Sequence, residues 1–146
     1  METYSARLAK LLPEYCELDV IALPGRVDGS APSGLSLCAF AVQSLFRGLV
    51  RTPADVIHIG DLAAWPLALT GLIRRPRSMV IVSAHGTDVS FALRDGLANR
   101  GYRAYLSVFR RLMPSARIIA NSKATADALK AAGLAAHAIV PLAADQ

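Results

Sequence analysis

An α/β domain, three-layered around a mainly parallel sheet, is the fold class this sequence predicts. Three observations predict it. Short apolar runs closed by Gly, Pro or polar turns alternate with segments of helical period. The clearest run, 78–83 (SMVIVS), is apolar on both alternating faces, as a strand covered on each side must be. The composition is 53% hydrophobic but only 6% aromatic, with Ala and Leu dominant, which favours helices packed on a sheet over a β-sandwich. Strands and helices in alternation imply parallel pairing through right-handed crossovers, in a doubly wound arrangement with helices on both faces. One core is expected for 146 residues, a length that hides roughly 68 to 70% of the unfolded surface.

Taken in order, 3–12 place Tyr4, Leu8, Leu11 and Leu12 on one helical face, and Pro13 ends that helix. The segment 18–23 (LDVIAL) before Pro24-Gly25 reads as a buried strand. The stretch 24–36 is rich in Gly, Pro and Ser and reads as a long loop. From 37 to 50 apolar residues dominate, with Gln43 and Arg47 marking a narrow exposed stripe, and Pro53 closes the segment. Residues 55–59 (DVIHI) form the next strand, and 62–74 a helix before Pro76. The strand at 78–83 delivers Ala84-His85-Gly86-Thr87-Asp88 at its carboxyl end. A helix comes next at 97–113, then a strand at 117–120 (RIIA). Ser122 opens a helix to 132, Gly133 sits where a C-terminal glycine cap belongs, and 137–140 is a last short strand.

The net charge of +5 is carried by thirteen Arg and three Lys. Such a field attracts phosphates, anionic lipids or nucleic acid. The basic residues cluster at Arg74, Arg75 and Arg77 and between Arg94 and Arg111, without interleaved exposed aromatics, so nucleic acid is not expected as a partner. The helix at 97–113 reads either as a packed helix with a solvated face or as an interfacial helix whose arginines meet lipid headgroups. Cys16 and Cys38 belong to no CxxC pair, which fits a reduced cytoplasm and excludes a dithiol motif. No metal site is expected, because no His, Cys, Asp or Glu set has ligand spacing. No apolar run reaches the length of a spanning helix, and the N-terminus lacks a secretion signal. A cytoplasmic protein is expected, at most peripheral at the inner face of the cell membrane.

Ligands of open parallel sheets bind beyond the carboxyl ends of the strands, where loops and helix N-termini gather. Three segments fall there: Gly60-Asp61, His85-Gly86-Thr87-Asp88, and Asn121-Ser122. The second sets an imidazole, a glycine, a hydroxyl and a carboxylate within four residues, a density that suits a sugar; equally, His85 and Thr87 satisfy turn groups and Asp88 caps the next segment. Ser122 reads first as a helix cap. His58, inside a strand, reads as a satisfied core histidine. No GxSxG elbow supports a hydrolase, and no GxGxxG follows a strand, which disfavours a nicotinamide-binding domain.

The succession DVIHIGDLAAWPLAL (55–69), VSAHGTD (82–88), ARIIANSKATADAL (116–129) and IVPLAAD (139–145) resembles the N-terminal domain of glycosyltransferase family 4 in order and in gaps. The resemblance spans nearly the whole chain. It implies a Rossmann-like domain, the acceptor-side half of a GT-B architecture, spanning 1–146 as a single domain. In that comparison the family's first strand and glycine-rich loop precede Met1, and the donor-binding domain follows the last residue. The chain is therefore expected to begin one strand late and to need a C-terminal domain, in cis or as another chain, before it acts. The implied activity is transfer of a hexose-type sugar from a nucleotide sugar to a glycan or lipid-linked acceptor with retention, without metal and with no cofactor beyond the donor, which is a substrate. His85 corresponds to the family's histidine near the donor sugar and is the catalytic candidate. Gly86, Thr87 and Asp88 lie in the adjoining loop, and with Gly60, Asp61 and Ser122 they make up the substrate-binding set. Gly60 stands where many members have a histidine. A non-catalytic binding or partner module derived from such an enzyme is the alternative.

Overall fold

The computed structural model describes residues 2–22 and 33–141. The chain falls into two compact units, Met1–Arg51 and Thr52–Gln146.

In the first unit, α1 (Glu2–Leu11) runs into a 3₁₀ turn at Leu12–Glu14, with Pro13 in its first positions. Proline lacks the N–H that an α-helix would need there, so the helix tightens and stops. The second helix, α2 (Gly34–Val50), starts at Ser33, whose Oγ accepts from the Ser36 N–H at 3.2 Å. Helix therefore begins three residues earlier than the apolar run announces, because the cap and not the first large side chain sets the start. Arg51 closes α2 and pairs with Asp19. The expected strand at 18–23 is not formed: residues 18–22 join no ladder among the described residues, and Val20 is half exposed. An apolar pentapeptide is a strand only when a neighbour supplies the hydrogen bonds. Residue 23 and the expected loop at 24–32 lie outside the described residues. The exposed stripe of α2 is broader than Gln43 and Arg47 suggest, and takes in Leu35, Val42 and Phe46.

The second unit is a parallel sheet of β1 (Val56–Ile59), β2 (Met79–Ala84), β3 (Arg117–Ala120) and β4 (Ala138–Ile139), in the order β1-β2-β3-β4. Between them run α3 (Leu67–Arg74), α4 (Gly86–Leu93), α5 (Leu97–Leu112) and α6 (Lys123–Ala131). The strands step consecutively in one direction, so right-handed crossovers lay their helices on the same face. The reversal of strand order that doubles the winding is not among the described strands. Register pairs Ile59 with Val82, Val82 with Ile118 and Ala84 with Ala120, and these line one face together with Val80. Against them pack Leu106 and Phe109 of α5 and Leu129 of α6.

Two departures from the expected elements have local causes. The helix expected at 62–74 divides into a 3₁₀ turn at Leu62–Ala64 and α3, with Pro66 at the join. The eight-residue α4 occupies a stretch to which the sequence pattern assigns no element. It is followed by Gly96 at φ 134°, ψ 161°, a conformation open essentially to glycine alone. That residue lets the chain turn from α4 into α5. Gly133 at φ 78° ends α6 as expected, with the Leu134 N–H returning to the Leu129 carbonyl at 2.9 Å.

Candidate functional site

The carboxyl ends of β1 and β2 bring Gly60 and His85 together. His85 is 5% exposed and occupies the N-cap of α4 with extended backbone. Its Nε2 lies 3.0 Å from the Gly60 carbonyl oxygen. A carbonyl only accepts, so Nε2 carries a proton, and in the neutral ring the lone pair falls on Nδ1. Gly60 thus contributes its carbonyl to orient the histidine.

Asp88 returns to the same turn from the third helical position. Its Oδ2 accepts from the His85 N–H at 3.2 Å, and its Oδ1 accepts from the Thr87 hydroxyl at 3.2 Å. This is a capping box with a histidine in place of the usual Ser or Thr, which is why the residue types do not announce a helix at 86. Asp61 caps the 3₁₀ turn after β1, its Oδ1 accepting from the Ala63 N–H at 2.7 Å. Ser122 caps α6, its Oγ accepting from the Thr125 N–H at 3.1 Å. Thr125 Oγ1 in turn donates to Asn121 Oδ1 at 2.6 Å. Gly86 lies close to Thr125, so the N-termini of α4 and α6 sit side by side on the rim. Their dipoles give the rim a positive character at the same place.

The structure adds two side chains that periodicity alone puts only on the apolar face of α5. Tyr105 donates its hydroxyl to the Ala63 carbonyl at 2.5 Å and tilts against Trp65, with ring centroids 5.4 Å apart. Tyr102 stacks on Tyr105 at 5.7 Å and meets Phe91 edge-on at 5.5 Å. Burial, and then the charge of Asp61, push the Tyr105 phenol up to about 12. The Tyr102 phenol is raised further, by burial first and then by the charges of Asp88 and Asp61. Among the described residues the buried Tyr102 hydroxyl has no protein partner. The signal for both tyrosines is their spacing of three on the face that carries Leu106 and Phe109; periodicity reports the face, not which strand end the ring tips reach.

Burial, and the neighbouring Asp61 charge, raise the Asp88 carboxyl above its ordinary 3.8, against the lowering by the His85 N–H, the His85 ring and Thr87. A carboxyl whose folded pKa is raised favours folding while protonated and loses that contribution as pH rises from 3.8 through the folded value. At neutral pH the ionised Asp88 is therefore a net cost. Asp88→Asn keeps an acceptor for the His85 N–H and removes the charge. Its urea midpoint is expected above the parent's at pH 7, with the gap closing as pH falls below the carboxylate range. A gap that did not change with pH would show that the charge is well solvated.

His58 is not the core histidine expected. It lies on the opposite face of the sheet, exposed, with Nε2 2.9 Å from Ser83 Oγ. Partial burial of the ring lowers its pKa, so it is neutral at pH 7. Being satisfied is legible as a default; facing away from the crossovers is decided by register.

Among the described residues no group of three or more His, Cys, Asp and Glu could hold a metal, and no helix is long and apolar enough to cross a membrane. Comparison with protein families finds that the model described as Glycosyltransferase Family 4 matches residues 1–143. No curated protein and no solved structure matches the chain.

Proposed function

The chain belongs to glycosyltransferase family 4, and from that premise we propose that it forms the acceptor side of an enzyme that moves a hexose-type sugar. The donor is a nucleotide sugar, the acceptor a glycan or lipid-linked sugar, and the anomeric configuration is retained. Transfer needs a second, donor-holding domain, in cis or as another chain, and no cofactor besides the donor.

The observation that carries this reading is the geometry at His85. An imidazole whose tautomer is set by the Gly60 carbonyl stands at the carboxyl end of β2. In the same turn is the Asp88 carboxylate, whose pKa Asp61 lies close enough to raise, and the Asp88 charge in turn reaches Tyr102. Sugars are recognised by acceptors and donors of this kind set against aromatic walls, and the partly exposed Tyr102 and Tyr105 supply the wall. His85 faces the donor sugar, Gly86 and Thr87 border it, and Asp61 and Asp88 receive hydroxyls of the acceptor. Ser122, committed to its cap, contributes through the positive end of α6.

Release of nucleoside diphosphate from a panel of uridine- and guanosine-diphosphate hexoses tests it. The chain combined with a family donor domain, given mixed glycan and polyprenyl-phosphate sugar acceptors, is expected to turn over at least one donor, and the chain alone none. Absence of turnover in every combination, with both parts folded, would sink the proposal.

A further inference from the structure

The α5 helix carries a second surface that the site does not use. Its sequence, LANRGYRAYLSVFRRL, holds four arginines and no carboxylate. Asn99, Leu106 and Phe109 are buried and Tyr102 and Tyr105 pack against the core, so that face is occupied. On the outer side, Leu97, Gly101, Ala104, Val108 and Leu112 fall at intervals of three and four and so line up along the helix. Leu97 is 86% exposed and Leu112 57%. Arg100 and Arg111 border this line on one side, about 16 Å apart along the axis.

Arg103 donates to the Ala92 carbonyl at 3.1 Å and Arg110 to the Gly133 carbonyl at 3.3 Å, both uncharged acceptors. Among the described residues none of the four arginines enters an ion pair; the pairs present are Arg51 with Asp19 and Arg75 with Asp55. At the carboxyl end of α5 the surface opens on a cavity of about 350 Å³ walled by Phe109, Met113, Ile118 and Leu134, with Arg110 on its lining. Exposed Leu93, Arg94 and Asp95 precede the helix, so the segment before it adds no net charge to the face.

We propose that the outer face of α5 is a docking surface for an anionic lipid bilayer. A line of aliphatic side chains bordered by guanidinium groups, with no acidic residue in α5, matches an interface that offers acyl chains beneath a layer of negative headgroups. The charge speaks against a second copy of the chain, since two such faces would repel. The face also lacks the exposed aromatic rings on which nucleic-acid bases stack. The proposal does not rest on sugar transfer, and a chain without any turnover would leave it standing.

Cosedimentation of the full chain with vesicles is the test, using phosphatidylcholine alone and phosphatidylcholine mixed with phosphatidylglycerol. Binding is expected only with the anionic lipid and should weaken with salt. Replacing Arg100 and Arg111 together with Gln should lower the partition coefficient about thirtyfold. Leu97→Ser with Leu112→Ser should lower it further at a salt concentration that screens the charges. All four positions are exposed, so the variants should melt like the parent, which circular dichroism checks. Equal binding to neutral vesicles, no binding to anionic ones, or indifference to the arginine pair would overturn the proposal. So would binding to polyaspartate or heparin as tight as to vesicles and unaffected by the leucine pair, which would make the face a polyanion surface instead.

Discussion

His85→Ala is expected to lower kcat/KM for sugar transfer by about 10² to 10³-fold when the donor domain is supplied, the range found for removing one preorganised polar group from a transition-state site. The substitution takes away the imidazole and with it the bond to the Gly60 carbonyl, so a structural loss could masquerade as a chemical one. His85→Gln separates the two. Its amide nitrogen reaches as far as Nε2 and can still donate to Gly60, while the ring and its lone pair are gone. If the glutamine variant melts like the parent yet loses activity as the alanine variant does, the imidazole acts on the reacting sugars. Near-parental kcat/KM for His85→Gln would reduce His85 to the cap of α4. Gly60 enters the same pair of variants through its carbonyl, which orients the imidazole.

Leu129→Ala should cost about 2 to 5 kcal/mol of unfolding free energy, the range for truncating a fully buried leucine. Leu129 is 0% exposed and belongs to the cluster that joins α6 to the sheet. The helix that carries it packs against both α4 and β3. For a unit of this size the melting temperature should fall by roughly 10 °C or more. Leu97→Ala is the matched control: the same substitution at a residue 86% exposed should change stability by no more than about 0.5 kcal/mol. A loss below about 1 kcal/mol for Leu129→Ala would mean that α6 packs loosely and that its capped N-terminus is not a fixed part of the rim.

Both predictions rest on features of unequal visibility in the sequence. The strand at 117–120, the cap at Ser122 and the glycine at 133 were legible because each is a local matter: a run between two turns, a hydroxyl before three free N–H groups, a residue able to take positive φ. The cluster at 85–88 was legible as a place, since it leaves the most apolar run in the chain. That it is also the first turn of a helix was not, because a histidine is a rare cap and α4 is too short to show a period.

Other features depended on partners far along the chain. The 18–22 segment is as apolar as a strand and joins no ladder among the described residues; His58 and Ile59 are neighbours in one strand, yet register turns one outward and the other into the core. Leu97 and Leu129 are equally good helix formers, and only the packing of α5 and α6 on the sheet separates a surface leucine from a core one. Tyr102 and Tyr105 share a face with core residues, and only the crossover between β2 and β3 carries the Tyr105 hydroxyl to the Ala63 carbonyl and both rings within reach of the Asp61 charge. The amino-acid sequence by itself determined the alternation of strand and helix, the caps and the histidine-bearing turn, because these arise from interactions within about four residues. Tertiary structure alone decided which faces are covered, which carbonyl sets the His85 tautomer and which arginines face outward, because those follow from hydrogen-bond register and burial between segments that the chain holds 25 or more positions apart.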